Sequence, residues 1–141
     1  MTQLWYVAHP VAPPCACGLS HVEFQAVACN CHMTRLWLKW LWRACPSVTL
    51  VCPWLPIVEV VGDDGEGNRE RGLRDCEAIA RSCHGIILVG GRVSSGMARE
   101  RAACTFEPSE YGGFECDLTN LGPYPPKEIP TGLPWPIQAK P

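Results

Sequence analysis

Five consecutive residues, Gly85–Val89 (Gly-Ile-Ile-Leu-Val), carry no polar side chain and are followed at once by two more glycines. A strand with one face in water alternates polar and apolar side chains, whereas a strand covered on both faces is apolar throughout. The run therefore predicts the central strand of a parallel sheet with helices packed on both faces.

Other segments extend this pattern in both directions. Two short β-rich runs end at prolines, a third follows the last helical segment, and three segments with helical periodicity lie between the runs. The predicted order β-α-β-α-β-α-β gives a doubly wound α/β fold, Rossmann-like or flavodoxin-like, with a mostly parallel sheet of about four or five strands. The strands are Leu4–Ala8, Val48–Cys52, Gly85–Val89 and Phe114–Leu118, and the helices are Ala26–Ala44, Asn68–Arg81 and a segment from Ser94 or Ser95 to Cys104.

The division of the chain follows from its proline content. Residues 1–122 are predicted to form the α/β domain, and 123–141, with seven prolines, an extended C-terminal tail. The helix Ala26–Ala44 carries two apolar stripes, one of them with Leu38 and Trp42. A helix that is apolar on two sides predicts a second contact, so we expect a homo-oligomer, a dimer or larger.

Charge and hydropathy exclude several function classes. The chain has 141 residues with a formal net charge of −2, so it has no basic surplus to neutralise a nucleic-acid polymer. No secretion signal and no apolar run of membrane-spanning length are present, which predicts a cytoplasmic protein that does not bind a membrane. In that compartment the ten cysteines are expected to stay reduced.

The cysteines divide into two groups. Cys76 and Cys83 lie on apolar faces and are interpreted as small hydrophobic residues. The second group lies in a loop and at a helix start. Its two Cys-x-Cys pairs could bind zinc, but structural zinc sites usually have a wider Cys-x2–4-Cys spacing, so we expect no metal. The group is Cys15, Cys17, Cys29, Cys31 and His32.

Ligands of doubly wound sheets bind at the carboxyl ends of the strands, where the strand order reverses. Here that rule brings Tyr6–Pro10, Pro53–Leu55 and Gly90–Gly96 around one crevice. Glu100 lies one turn into the following helix, at i+4 from Gly96, and we expect the helix N-terminus to keep it ionised. An ionised carboxylate beside a ligand can act as a nucleophile at a sugar carbon. The alternative is a solvated residue between Arg99 and Arg101.

Two further residues have competing interpretations. Asp75 flanks the core stripe of its helix, so its carboxylate either reaches the crevice or forms a surface ion pair with Arg71 or Arg74. Tyr6 places a hydroxyl in a buried strand, where it needs a partner. That partner is either a catalytic carboxylate or a structural acceptor.

Three segments together resemble the nucleoside 2-deoxyribosyltransferase superfamily, including its nucleotide N-glycosidase branch. They are Trp5-Tyr6-Val7-Ala8-His9-Pro10, then Cys83-His84-Gly85-Ile86-Ile87-Leu88-Val89 with Asp75 before it, then Ser94-Ser95-Gly96-Met97-Ala98-Arg99-Glu100. The resemblance spans about residues 4–118. It implies that Glu100 is the nucleophile, that Tyr6 orients it, and that Asp75 binds or protonates the base. It implies no metal and no organic cofactor.

The expected substrate is a 2′-deoxynucleoside or its 5′-monophosphate, cleaved or transferred at the N-glycosidic bond. Ser94 and Ser95 at a helix start, with Arg92 nearby, favour the monophosphate. One alternative is a non-catalytic module that sequesters or senses a nucleotide; it is favoured by His9, which replaces the glycine that the family has beside the sugar. A weaker alternative is a zinc-stabilised interaction protein built on the Cys-x-Cys pairs. The expected substrate-binding residues are Ala8, His9, Trp54, Gly90, Gly91, Arg92, Ser94, Ser95 and Gly96.

Overall fold

The computed structural model of the chain describes residues 2–62, 67–104 and 114–139, with the backbone alone at Phe114. It contains one four-stranded sheet in which every pairing is parallel, in the order β2-β1-β3-β4. This confirms the predicted α/β fold with a parallel sheet. The elements are β1 (Gln3–Ala8), α1 (Glu23–Ala44), β2 (Val48–Val51), α2 (Trp54–Val61), α3 (Asn68–Ala80), β3 (Gly85–Leu88), α4 (Ser95–Ala103) and β4 (Phe114–Asp117).

The strand order reverses at β1. The chain runs from β1 to β2 on one side and returns to β3 on the other, so β1 has two neighbours. In register, Tyr6 lies beside Val51 and Ile86, and Ala8 lies beside Leu88. The carboxyl ends of β1 and β3 therefore meet at one edge of the sheet. That edge is the switch point where doubly wound folds bind ligands.

Side chains of β1 alternate between two cores, as the two-residue period of a strand requires. Trp5 and Val7 pack in one apolar cluster with Trp37 and Leu41 of α1. Tyr6 faces the opposite cluster, which is built mainly from α2, α3 and α4. The sheet is therefore covered on both faces, which explains why the sequence of β3 has no polar position.

The helix α2 was not expected from the sequence. Its Pro-Trp-Leu-Pro start looks like a turn, but Pro56 is the third residue of the helix. A backbone N–H in the first turn has no intrahelical acceptor, so a proline there removes no hydrogen bond. The helix α1 also starts earlier than predicted, at Glu23 rather than Ala26.

The proline-rich C-terminal segment packs on the α1 side of the sheet. Ile137 is only 7% exposed and belongs to the same cluster as Trp37. The indole N–H of Trp37 donates to the Pro123 carbonyl at 2.9 Å, and the Gln138 N–H donates to the Ala44 carbonyl at 2.7 Å. Residues 123–139 contain no helix or strand, and they cover part of the core.

The two residues behind the expected oligomer contact lie in different surroundings. Leu38 packs against both apolar clusters, whereas Trp42 is 77% exposed. The second stripe of α1 is therefore partly used within the domain. Among the described residues, no helix combines the length and the apolar character needed to cross a bilayer.

Candidate functional site

Three consecutive residues of α4 point in three directions, because successive helix positions are about 100° apart. Arg99 pairs with Glu77 of α3, its Nε lying 2.5 Å from Oε1, and Arg101 pairs with Glu115 of β4 at 2.6 Å. Glu100, between them, turns inward and is only 4% exposed. The interpretation of Glu100 as a solvated helix residue is therefore wrong.

Glu100 meets Tyr6 of β1 inside the protein. The Tyr6 hydroxyl donates a hydrogen bond of 2.8 Å to Oε1 of Glu100. Burial raises the pKa of Tyr6 far above its usual value, and the neighbouring Glu100 charge adds to this. The tyrosine therefore remains a donor at physiological pH. Of the two partners considered for its hydroxyl, the carboxylate is the one that the fold provides.

Burial also decides the charge of the carboxyl group. It raises the pKa of Glu100 to about 8, although donation from Tyr6 acts in the opposite direction. The expectation that the helix end keeps Glu100 ionised is wrong for this geometry. Helix α4 begins at Ser95, so Glu100 lies in the second turn, and the influence of the helix end is confined to the first.

A cleft of about 520 Å³, counted with its open mouth, runs along the α2–α4 side of the switch point. Much of this volume is open solvent at the mouth, so the cleft is an open groove and not an enclosed pocket. Its wall combines apolar and aromatic side chains with a few polar groups from the loop after β1, from α2 and α3, and from the start of α4. The lining residues include His9, Val11, Ala12, Trp54, Ile57, Val58, Asn68, Arg69, Leu73, Cys76, Ser94, Gly96, Met97 and Glu100.

His9 and Trp54 form an aromatic pair in this wall, with ring centroids 6.4 Å apart and planes 23° from parallel. The His9 Nδ1–H donates to the Pro10 carbonyl at 2.7 Å, and burial lowers the pKa of His9 to about 4. The imidazole is therefore neutral at pH 7. Its Nε2 is buried and has no hydrogen-bond partner among the described residues.

The position of the imidazole depends on Gly90, which has a φ of +102°. A Cβ atom there would lie 2.7 Å from His9 Cδ2 and 2.7 Å from Pro10 Cδ. Only glycine combines this backbone conformation with this close approach. Gly90 thus acts on the cleft through His9.

Asp75 is not in the cleft. Its carboxylate is 47% exposed and lies 3.7 Å from Arg71 Nε and 3.7 Å from Arg74 Nε. The next residue, Cys76, takes the inward position of α3 and lines the cleft beside Glu100. Of the two interpretations of Asp75, the surface ion pair describes its position.

Arg92 is directed at the protein and not at the helix start. Its guanidinium donates to the carbonyls of Ala12 at 3.0 Å and Pro14 at 2.8 Å, so it fastens the loop after β1. Of the other expected contact residues, Gly91 adjoins the Gly122–Pro123 backbone, Ser95 is exposed and Ala8 is buried in the sheet. Ser94 and Gly96 line the cleft, and Ser94 caps α4 by accepting from the Met97 N–H at 3.2 Å.

Two residues that line or support the cleft were not predicted. Arg69 at the start of α3 lines the cleft and brings a positive charge to it. Asn30 of α1 is fully buried, where its side chain accepts from the Ala16 N–H at 2.7 Å and donates to the Val11 carbonyl at 2.9 Å. The sequence signal for Asn30 was a polar residue among the apolar positions of a helix, because a buried polar side chain needs hydrogen-bond partners.

Compared with known proteins, the chain matches no protein-family model, no curated protein and no solved structure. The resemblance to the deoxyribosyltransferase superfamily therefore rests on the residues of the three segments alone.

Proposed function

We propose that the cleft cleaves or transfers the N-glycosidic bond of a 2′-deoxynucleoside or its 5′-monophosphate, with Glu100 as the nucleophile. The observation that carries the proposal is the Tyr6–Glu100 hydrogen bond at the wall of the cleft beside the switch point. A tyrosine that holds one carboxylate oxygen leaves the other to attack a sugar carbon. This is how a covalent glycosyl intermediate forms on a carboxylate nucleophile.

The residues suggest the course of the reaction. Tyr6 holds Oε1, so Oε2 attacks the anomeric carbon C1′. The C1′–N bond breaks, its electron pair leaves with the base, and a glycosyl ester forms on Glu100. Water or a second base then attacks C1′ and releases the carboxylate. Because Asp75 points to solvent, the proton that the departing base needs comes from solvent in this scheme.

The substrate class follows from the wall of the cleft. The stacked pair of Trp54 and His9 offers an apolar, aromatic surface suited to a planar base. For a 5′-phosphate, Arg69 is a better-placed cation than Arg92, because Arg69 lines the cleft and Arg92 does not. Calorimetry with a deoxynucleoside and its monophosphate should show a preference for the monophosphate that Arg69→Ala removes. Equal affinity for both ligands in both proteins would mean that Arg69 does not read a 5′-phosphate.

The catalytic proposal is tested by incubating the protein with a panel of deoxynucleosides and deoxynucleotides and measuring the free base by chromatography. Glu100→Gln keeps the shape and the hydrogen bond but cannot form the ester, so turnover should fall at least about a thousandfold. Glu128→Gln, at an exposed position, is the matched control and should retain wild-type turnover. Wild-type rates in Glu100→Gln would remove Glu100 from the mechanism.

The charge of the site favours a second candidate, a non-catalytic nucleotide-binding module. With a pKa of about 8, Glu100 is mostly protonated at neutral pH and acts as a hydrogen-bond donor more readily than as a nucleophile. His9 also lines the same cleft, with a bulkier side chain than the glycine of the family. Tight nucleotide binding that Glu100→Gln preserves, with no base released from any member of the panel, would establish this candidate.

A further inference from the structure

A cluster of three cysteines and one histidine lies on the loop between β1 and α1 and on the first turns of α1. One ligand atom from each of Cys15, Cys17, His21 and Cys29 lies within 4.8 Å of the other three. The Sγ atoms of Cys15 and Cys17 are 2.9 Å apart, and Cys17 Sγ is 3.4 Å from His21 Nε2. None of these residues takes part in the cleft.

We propose that these four residues bind a structural zinc ion. Zn–S bonds of about 2.3 Å at tetrahedral angles place ligand atoms about 3.8 Å apart, close to the separations in the cluster. Three thiolates and one imidazole suit zinc, whereas calcium and magnesium prefer oxygen ligands. Four protein ligands complete a tetrahedron, which is the composition of a structural rather than a catalytic site.

The fold explains how ligands with an unusual spacing come together. The short Cys-x-Cys pair on the loop turns back on itself, with the Cys17 N–H donating to Cys15 Sγ at 3.3 Å. Cys29 reaches the pair from the second turn of α1, and His21 reaches it from just before the helix. The wider Cys-x2–4-Cys spacing of common zinc sites is therefore replaced by a loop folded over a helix end.

The surrounding backbone is fixed independently of any metal. Asn30 binds the loop at Val11 and Ala16, and Arg92 binds it at Ala12 and Pro14. Because these hydrogen bonds already hold the loop, its metal-binding side chains lose less conformational freedom when the ion binds.

The other two members of the cysteine-rich group do not belong to the site. Cys31 is buried in the apolar cluster that contains Tyr6, and His32 is exposed on α1 outside the four-residue cluster. The ligand set thus differs from the one that the Cys-x-Cys pairs indicate in sequence.

The role of the ion follows from what the loop does. The same loop contributes Val11 and Ala12 to the wall of the cleft, so zinc would fasten that wall to α1. The proposal does not depend on the chemistry of Glu100. Loss of zinc is expected to lower stability whether or not the cleft is catalytic.

The test begins with metal analysis of the purified wild-type protein, where we expect about one zinc ion per chain. Metal-free protein titrated with Co²⁺ should develop the visible absorption of tetrahedral thiolate-coordinated cobalt, and Zn²⁺ should displace it. His21→Ala should weaken Co²⁺ binding at least about tenfold, since even outer contacts of metal ligands contribute that much. His32→Ala, also an exposed histidine, is the matched control and should bind like the wild type.

Stability supplies a second measurement. A chelator should lower Tm in the wild type and in His32→Ala, and should leave Tm unchanged in Cys29→Ser, which has already lost the site. Three outcomes would overturn the proposal: no tetrahedral cobalt spectrum in the wild type, metal binding unaffected by His21→Ala, or a disulfide within the cluster in unreduced protein examined by mass spectrometry. The cobalt titration of the wild type decides the matter even if Cys29→Ser fails to fold.

Discussion

The Tyr6–Glu100 pair links one hydroxyl to the pH at which the cleft can work. Attack requires ionised Glu100, whose pKa is raised to about 8, so kcat/KM should rise with pH and level off above that value. Tyr6 donation lowers the pKa of Glu100, hence Tyr6→Phe should move the midpoint to higher pH as well as reduce the rate. Tyr124→Phe, at an exposed position, should leave the profile unchanged. A lower rate with an unmoved midpoint would mean that Tyr6 serves the fold alone.

The same carboxyl group should make stability depend on pH. Its pKa rises from 4.5 to about 8 on folding, so between these values the folded protein holds a proton that the unfolded chain has released. The stabilisation of the folded state by this bound proton is complete below pH 4.5 and is lost as the pH rises through about 8. Glu100→Gln removes this pH dependence. As the pH rises through this window, the free energy of unfolding of the variant should therefore increase relative to that of the wild type by up to about 1.4 kcal/mol per pH unit.

Urea denaturation at about pH 5 and about pH 8 measures this difference directly. Glu128→Gln provides the reference, since its exposed side chain should give a curve parallel to the wild type. A Glu100→Gln curve that also runs parallel would show that Glu100 titrates as a solvated carboxylate, contrary to its burial.

At the scale of an element, the turn after β3 places the aromatic part of the cleft. Gly90→Ala combines an unfavourable φ of +102° with contacts of 2.7 Å to His9 and Pro10, so it should cost more than the roughly 1–3 kcal/mol of backbone strain. Gly132→Ala is the matched control, because Gly132 has a φ of +79° and nothing within 4 Å of the added Cβ. Urea denaturation should show a larger loss in Gly90→Ala. Equal losses would mean that His9 and Pro10 move aside freely.

For the whole molecule, the residue that bears on assembly is Trp42. At 77% exposure it is a large apolar side chain on the outer face of α1, and the expected homo-oligomer stays a prediction based on that face. Light scattering should give a dimer or larger species for the wild type and a smaller one for Trp42→Lys. A wild-type monomer at micromolar concentration would rule out the oligomer and leave Trp42 as an isolated surface residue.

The sequence predicted the parts of the protein that depend on local pattern. An apolar run without polar positions has one stable location, a strand covered on both faces, so β3 and the parallel sheet followed from it. Once β1 and β3 were assigned, the switch-point rule brought Tyr6 and the start of α4 to one crevice. A strand residue and a helix residue distant in the chain thus came together by topology.

The sequence could not assign the direction of side chains whose neighbours are distant. Asp75 and Cys76 are adjacent in the chain, and a small rotation of α3 decides which of them faces the cleft. Arg92 lies near the helix start, and only the folded loop showed that its guanidinium is bound to Ala12 and Pro14. Burial, which raises the pKa of Glu100, is likewise set by packing on every side.

The cysteine-rich group separates the two kinds of information most clearly. Residue types and spacing showed that thiols and an imidazole were available, and the spacing argued against zinc. The tertiary structure brings in His21 and leaves out Cys31 and His32, because the loop folds back over the first turns of α1. Composition and periodicity determined the layers of this protein, since burial of apolar faces is a local property of each segment. The tertiary structure alone decided which polar groups meet, since that depends on the packing of segments distant in the chain.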